Sequence, residues 1–135
     1  MSEQEQIKQF LAGRRFVVVG ASKDRAKYGN KVLRAYLQNN RDAVPVNPGA
    51  DEVEGLKAYR DLASVPEDVD GVSIITPPAV TEKVVEQALE RGIKNIWMQP
   101  GAESQAAIEA AKEAGANVIA GGPCLLVALR YRETE

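Results

Sequence analysis

The residues best placed to do chemistry in this chain follow a short apolar run. Arg15-Phe-Val-Val-Val is closed by Gly20, and Ala21 and Ser22 come next. A glycine there lets the backbone turn tightly, and Ser22 adds a hydroxyl. A helix after such a turn offers unpaired N–H groups and the positive end of its dipole to an anion. Bases flank the loop. Residues 14 to 34 hold seven of them (Arg14, Arg15, Lys23, Arg25, Lys27, Lys31 and Arg34) against one acid, Asp24. That stretch carries +6, the remainder −8, and the whole chain −2. One basic segment in an acidic chain points to a localised anion site rather than a broad nucleic-acid surface. The chemistry expected is the cradling of a phosphate, with a basic solvated helix face as the alternative.

Three further junctions repeat the arrangement. Asn47-Pro48-Gly49 follows Asp42–Val46, and Thr76-Pro77-Pro78 follows Gly71–Ile75. The latter makes a stiff apolar wall with one hydroxyl, suited to an adenine or a slender chain; helix initiation by proline explains it equally well. Gln99-Pro100-Gly101-Ala102-Glu103-Ser104 follows Lys94–Met98 and precedes another helix. It is either a second anion or amide site or a plain N-cap by Glu103 or Ser104. The first loop departs from G-x-G-x-x-G, since position 22 is Ser and position 25 is Arg. The acid that NAD sites place after the second strand is replaced by Asn47, which counts against a nicotinamide site.

The chain has one cysteine and no histidine. An internal disulfide, a Cys/His zinc site and any His-based triad or general base are therefore not expected. Cys124 reads as a small hydrophobe rather than a nucleophile. Asp24 and Glu103 sit on separate loops and make a weak acid–base pair. No catalytic residue and no metal ligand is assigned.

Alternating strands and helices must position these junctions. Ser2-x-x-Glu5 is a capping-box pattern, followed by Ile7, Phe10 and Leu11 at helical spacing up to Gly13. Strands are expected at 15–20, 42–46, 71–75, 94–98 and 117–120, with Pro45 near a sheet edge. Val32, Leu33, Tyr36 and Leu37 mark the second helix, and Val80, Val84, Val85, Ala88 and Leu89 a third, ended by Gly92. A fourth runs from about Glu103 to Ala114, with a brief helical turn at 59–63 and a last turn or two over 124–130. The pattern predicts an α/β, Rossmann-like three-layer fold: a five-stranded parallel sheet with helices on both faces. At 135 residues and 14.6 kDa, 1–135 reads as one domain. No apolar run reaches a membrane span, and the acidic start is not a secretory signal, so a cytoplasmic protein is expected.

The order V-V-V-G-A-S, P-V-N-P, T-P-P, Q-P-G-A-E-S and then Cys124, each at a strand end, resembles the small bacterial and archaeal CoA-binding proteins. These are similar to the N-terminal CoA-binding domain of the succinyl-CoA synthetase alpha subunit. The resemblance covers roughly residues 5 to 130. It implies non-covalent binding of coenzyme A or an acyl-CoA in a carrier or regulatory role, without catalysis. By position, it places Gly20, Ala21 and Ser22 against the phosphates as a phosphate-binding loop. Arg25, Lys27, Tyr28 and Lys31 would close on the phosphates or nucleotide, and Asn47 and Pro48 would border the adenosine. Thr76, Pro77 and Pro78 would line the floor. Gln99, Pro100, Gly101 and Ser104 would face the pantetheine. The synthetase's phosphorylated histidine has no counterpart, so ligase activity is not implied. The chain departs from the family at Gly121-Gly122-Pro123 and at Leu125-Leu-Val-Ala-Leu129. That apolar run is either a self-association or partner surface or a terminal helix packed on the sheet. An NAD(H)-binding sensor or oxidoreductase and an interaction scaffold with a degenerate nucleotide pocket are the competing functions.

Overall fold

Strand segments in this sequence are apolar at consecutive positions because both faces of their sheet are covered. A computed structural model describes residues 1–133. Helix α1 (Glu3–Leu11) precedes β1 (Arg15–Val19), α2 (Tyr28–Gln38) and β2 (Asp42–Val46). A hairpin of β3 (Glu52–Val53) and β4 (Leu56–Lys57) follows, then a single 3-10 turn at Leu62–Ser64. The rest is β5 (Gly71–Ile74), α3 (Pro78–Glu90), β6 (Asn95–Met98), α4 (Gln105–Glu113), β7 (Asn117–Ile119) and α5 (Leu125–Ala128). The five long strands form one parallel sheet in the order β2-β1-β5-β6-β7. The α/β, Rossmann-like expectation is met.

Alternate strand residues divide the core. Val17, Val19, Val72, Ile74, Ile96 and Met98 face α3 and α4. Phe16, Val18, Trp97 and Ile119 face α1, α2 and α5. On that second side Phe10 stacks on Phe16 with centroids 5.4 Å apart and meets the Trp97 ring edge at 5.3 Å. Burying such a ring contributes on the order of 2–3 kcal/mol. Trp97 donates Nε1–H to the Pro123 carbonyl at 3.1 Å, so its polar atom is satisfied too.

Pro45 sits on an edge strand, as expected. Its carbonyl points outward and accepts from the Tyr59 amide, while the Asn47 amide donates to the Tyr59 carbonyl. A missing N–H on that side costs the main ladder nothing. The helical turn expected at 59–63 begins later, because Tyr59 is occupied in this bridge to Val46. The other edge, β7, is covered by α1, where Gln6 donates to the Val118 carbonyl and accepts from Asn117. Helix α4 starts at Gln105 rather than Glu103, since Ser104 is its N-cap and accepts from the Ala107 amide. The run 125–129 is the packed terminal helix of the two alternatives. Leu125 and Leu129 are buried, and Val127 is the exposed large side chain. No helix among the described residues is long and apolar enough to cross a membrane.

Asp70, at the mouth of β5, accepts from the Arg14 and Arg15 amides at 2.7 and 3.0 Å. These bonds to the Arg15 and Arg14 backbone hold its carboxyl below the usual carboxylate range. A depressed folded-state value gives stability that is present above the unfolded-state value and lost as pH falls through the folded one. Thermal melts of Asp70→Asn are therefore expected to show a lower melting temperature near neutrality and a shallower acid decline than the parent. Parallel acid limbs would refute this.

Candidate functional site

The strand order reverses between β1 and β5. The chain leaves β1 for β2 on one side and returns across it to β5 on the other. A crevice opens at the carboxyl ends of these two strands, the place where such sheets accept ligands. Gly20 forms its floor at φ +97°, and a Cβ there would stand 2.2 Å from the Ile75 carbonyl oxygen. Helix α2 arrives from the other side. A Cβ on Gly29 would stand 1.9 Å from the Gly20 carbonyl oxygen. Gly29 thus does the work of the fingerprint's third glycine, allowing helix and strand to touch, but nine residues on instead of five. Sequence reading missed it by looking for fixed spacing. A glycine in the first turn of an amphipathic helix was the available signal.

The loop between them is held by side chains from three directions. Asn47 Nδ2 donates to the Ala21 carbonyl at 2.8 Å, and Asn30 Nδ2 donates to the Ser22 carbonyl at 2.8 Å. Ser22 Oγ accepts from the Asp24 amide at 3.0 Å, and Asp24 Oδ1 accepts from the Ala26 amide at 3.0 Å. The α2 N-cap is Lys27, whose side chain makes no cap bond, and the first turn holds no acid. With the Ala21 and Ser22 carbonyls tied and no side-chain cap in place, the crevice borders the open start of an eleven-residue helix, the end at which a helix can receive an anion. The start of α4 contrasts with it. Ser104 caps α4 and donates to Glu82 Oε2 at 2.6 Å, and Glu103 Oε1 accepts from the Gly101 amide at 2.7 Å. Of the two readings of that junction, the plain N-cap is the one observed.

Three cavities line up along the rim. The central one, about 450 Å³, is walled by Gly20, Ala21, Ser22, Lys27, Tyr28, Gly29, Asn47, Pro48 and Ile75. It shares Gly20 and Pro48 with a mainly apolar cavity of about 320 Å³ that includes Val46, Leu62, Thr76 and Val84. It shares Tyr28 and Ile75 with a third, about 350 Å³, completed by Gln99, Pro100 and Cys124. Gln99, 3% exposed, donates to Cys124 Sγ at 3.4 Å and accepts from the Leu125 amide at 2.7 Å. It ties the cysteine to the rim.

Ten of the sixteen residues expected at the site share these walls. Arg25, Lys31, Pro77, Pro78, Gly101 and Ser104 do not. Arg25 Nε lies 3.5 Å from Glu54, and Lys31 Nζ lies 3.5 Å from Glu133, so both cations point to acids outside the crevice. Asn30 and Arg34 were not expected. Asn30 is fully buried, holds Ser22 and Glu54 through Nδ2, and accepts from Arg34 Nε at 2.6 Å. Arg34 also donates to the Arg25 carbonyl at 2.8 Å. These two residues brace the loop from behind. Among the described residues, no group of acids, Cys or His is arranged to hold a metal ion.

A doubly wound parallel sheet with an open helix start at its switch point defines a Rossmann-like domain. Residues 14–130 match the CoA binding domain family, and the chain belongs to that family. It is 34% identical over 77 residues to the ADP-forming acetate–CoA ligase of Methanocaldococcus jannaschii, covering 57% of this chain and 11% of the ligase. It is 30% identical over 115 residues to the uncharacterized protein YneT of Bacillus subtilis, covering 84% and 85% of the two chains. Among solved structures, a conserved hypothetical protein from Pyrococcus furiosus superposes with a TM-score of 0.80 at 42% identity, covering 86% of this chain and 99% of that one. The chain spans between 11% and 19% of the length of the CoA ligases and CoA synthase it matches.

Proposed function

We propose that this chain, acting as a single domain, binds coenzyme A or an acyl-CoA without covalent attachment, as a carrier or regulatory module rather than a catalyst. The observation that carries the reading is the uncapped start of α2 beside a loop whose carbonyls are tied back. The diphosphate takes the central cavity, against the Gly20–Ser22 backbone and Lys27. The adenosine takes the apolar cavity between Pro48 and Thr76, with Pro77 and Pro78 stiffening its wall. The pantetheine follows Tyr28, Gln99 and Pro100 toward Cys124, around the bend that Gly101 and Ser104 shape. Arg25 and Lys31 approach the phosphates from the outer side. Family membership supports the ligand class. The lack of histidine and the engagement of Cys124 with Gln99 support a role without acid–base or thiolate chemistry. Asn47, already bonded to Ala21 and Gly49, stands where an NAD site needs a carboxylate.

Isothermal titration at low salt with CoA, acetyl-CoA and NAD tests this. CoA and acetyl-CoA are expected to bind, to weaken as salt screens the phosphates, and to bind more tightly than NAD. Absence of CoA heat at low salt, or tighter NAD binding, would overturn the reading.

A further inference from the structure

The basic segment is not wholly open to solvent: Lys31 is half-buried and Arg34 buried. Its outer cations are covered by the end of the described chain. Glu133 lies across α2, with Oε2 3.5 Å from Lys31 Nζ and Oε1 3.8 Å from Arg34 Nη2. Lys31 and Arg34 are three residues apart, hence neighbours on one helix face. Tyr131 donates its hydroxyl to Glu133 Oε2 at 2.9 Å, and its ring lies 5.4 Å from the Arg34 guanidinium carbon. Gln38 donates to the Arg132 carbonyl at 2.7 Å and accepts from the Arg132 amide at 2.9 Å. The backbone reverses at Arg130, with φ 51°, to lay this segment down. A non-glycine residue seldom adopts this left-handed conformation, so the seat is a specific one.

We propose that Lys31 and Arg34 form an anion subsite beside the phosphate cavity, filled by the chain's own Glu133 until a phosphate-bearing ligand displaces it. The inference rests on the CoA reading for the identity of the ligand, and on the geometry of the segment for the rest. Glu133 resembles a phosphate in placing two oxygens against two cations, but it carries a single charge. Its side chain is 63% exposed, so the pair is worth little and is easily exchanged. The subsite reaches the cavity by two routes. Lys31 Nζ lies 6.0 Å from the ring centroid of Tyr28, a wall shared by two of the rim cavities. Arg34 holds the Arg25 carbonyl of the loop itself.

The test uses the full chain and Glu133→Gln, titrated with inorganic pyrophosphate and, separately, with CoA at low salt, while NMR follows the Arg34 Nε–H signal. The variant is expected to bind both probes about fivefold more tightly, with the gap closing at high salt. In the parent protein, saturating pyrophosphate should shift the Arg34 signal as Tyr131 and Glu133 leave it. Tyr131→Phe, which loses only the hydroxyl donor, should fall between parent and variant. Equal or weaker binding by Glu133→Gln, with an unmoved Arg34 signal at saturation, overturns the subsite. If pyrophosphate shows the effect and CoA does not bind, the subsite stands and the CoA reading falls. If neither probe binds either protein, both fall.

Discussion

Gly29→Ala is expected to destabilise the protein by about 3 kcal/mol or more, enough that urea unfolding shows an early midpoint or little folded protein accumulates. The added Cβ would meet the Gly20 carbonyl oxygen at 1.9 Å and its carbon at 2.9 Å. Both are backbone atoms, so no side chain can swing aside. Either α2 lifts from β1 or β1 shifts within the sheet. Gly20→Ala meets the same obstacle at the Ile75 carbonyl and adds the strain of φ +97°. Gly49→Ala is the control. Its nearest contact, Asn47 Oδ1, is 3.5 Å away, and its effect should stay within about 0.5 kcal/mol. Comparable midpoints for Gly29→Ala and Gly49→Ala would show that helix and strand do not touch as described.

Lys27→Glu is expected to weaken CoA binding by about 2 kcal/mol, roughly thirtyfold, without loss of stability. Lys27 is the charged side chain of the central cavity's wall. Reversal replaces attraction for a diphosphate with repulsion at the same place. It also puts a carboxylate at the start of α2, where the helix dipole favours negative charge, so thermal stability should hold or rise slightly. Binding and folding thus move in opposite directions, which separates a site effect from general damage. The loss should shrink as salt rises, because the Debye length falls below about 10 Å above 0.1 M. Lys94→Glu, at the amino end of β6 on the far side of the sheet, should leave binding unchanged. Equal losses at both positions would mean that net charge, not the cavity, attracts the ligand.

Local patterns of apolar residues and turn residues were enough to read the five strands, the helices between them and the junctions that carry the site. Each strand needs a run long enough to be covered on both faces, and each run shows directly. The β3–β4 hairpin left no such trace. Its strands are two residues each, and its turn is Glu54-Gly55 rather than the usual Asn-Gly or Asp-Gly. Among the residues that line the crevice, those placed by a turn after a strand, such as Gly20 and Ser22, were legible, because such a turn has few residues to choose from. Long charged side chains were harder to place. Arg25 and Lys31 look free in sequence, yet Glu54 and Glu133 reach them from segments 29 and 102 positions away.

By itself, then, the order of residues determined the class of fold, the location of the rim and the basic character of the segment beside it. Periodicity, glycine placement and charge are properties of neighbouring residues. Only the tertiary structure decided which carbonyls are tied back, which glycines allow α2 to touch β1, and which carboxylates neutralise the basic segment. Those are distances between residues far apart in the chain, and packing sets them.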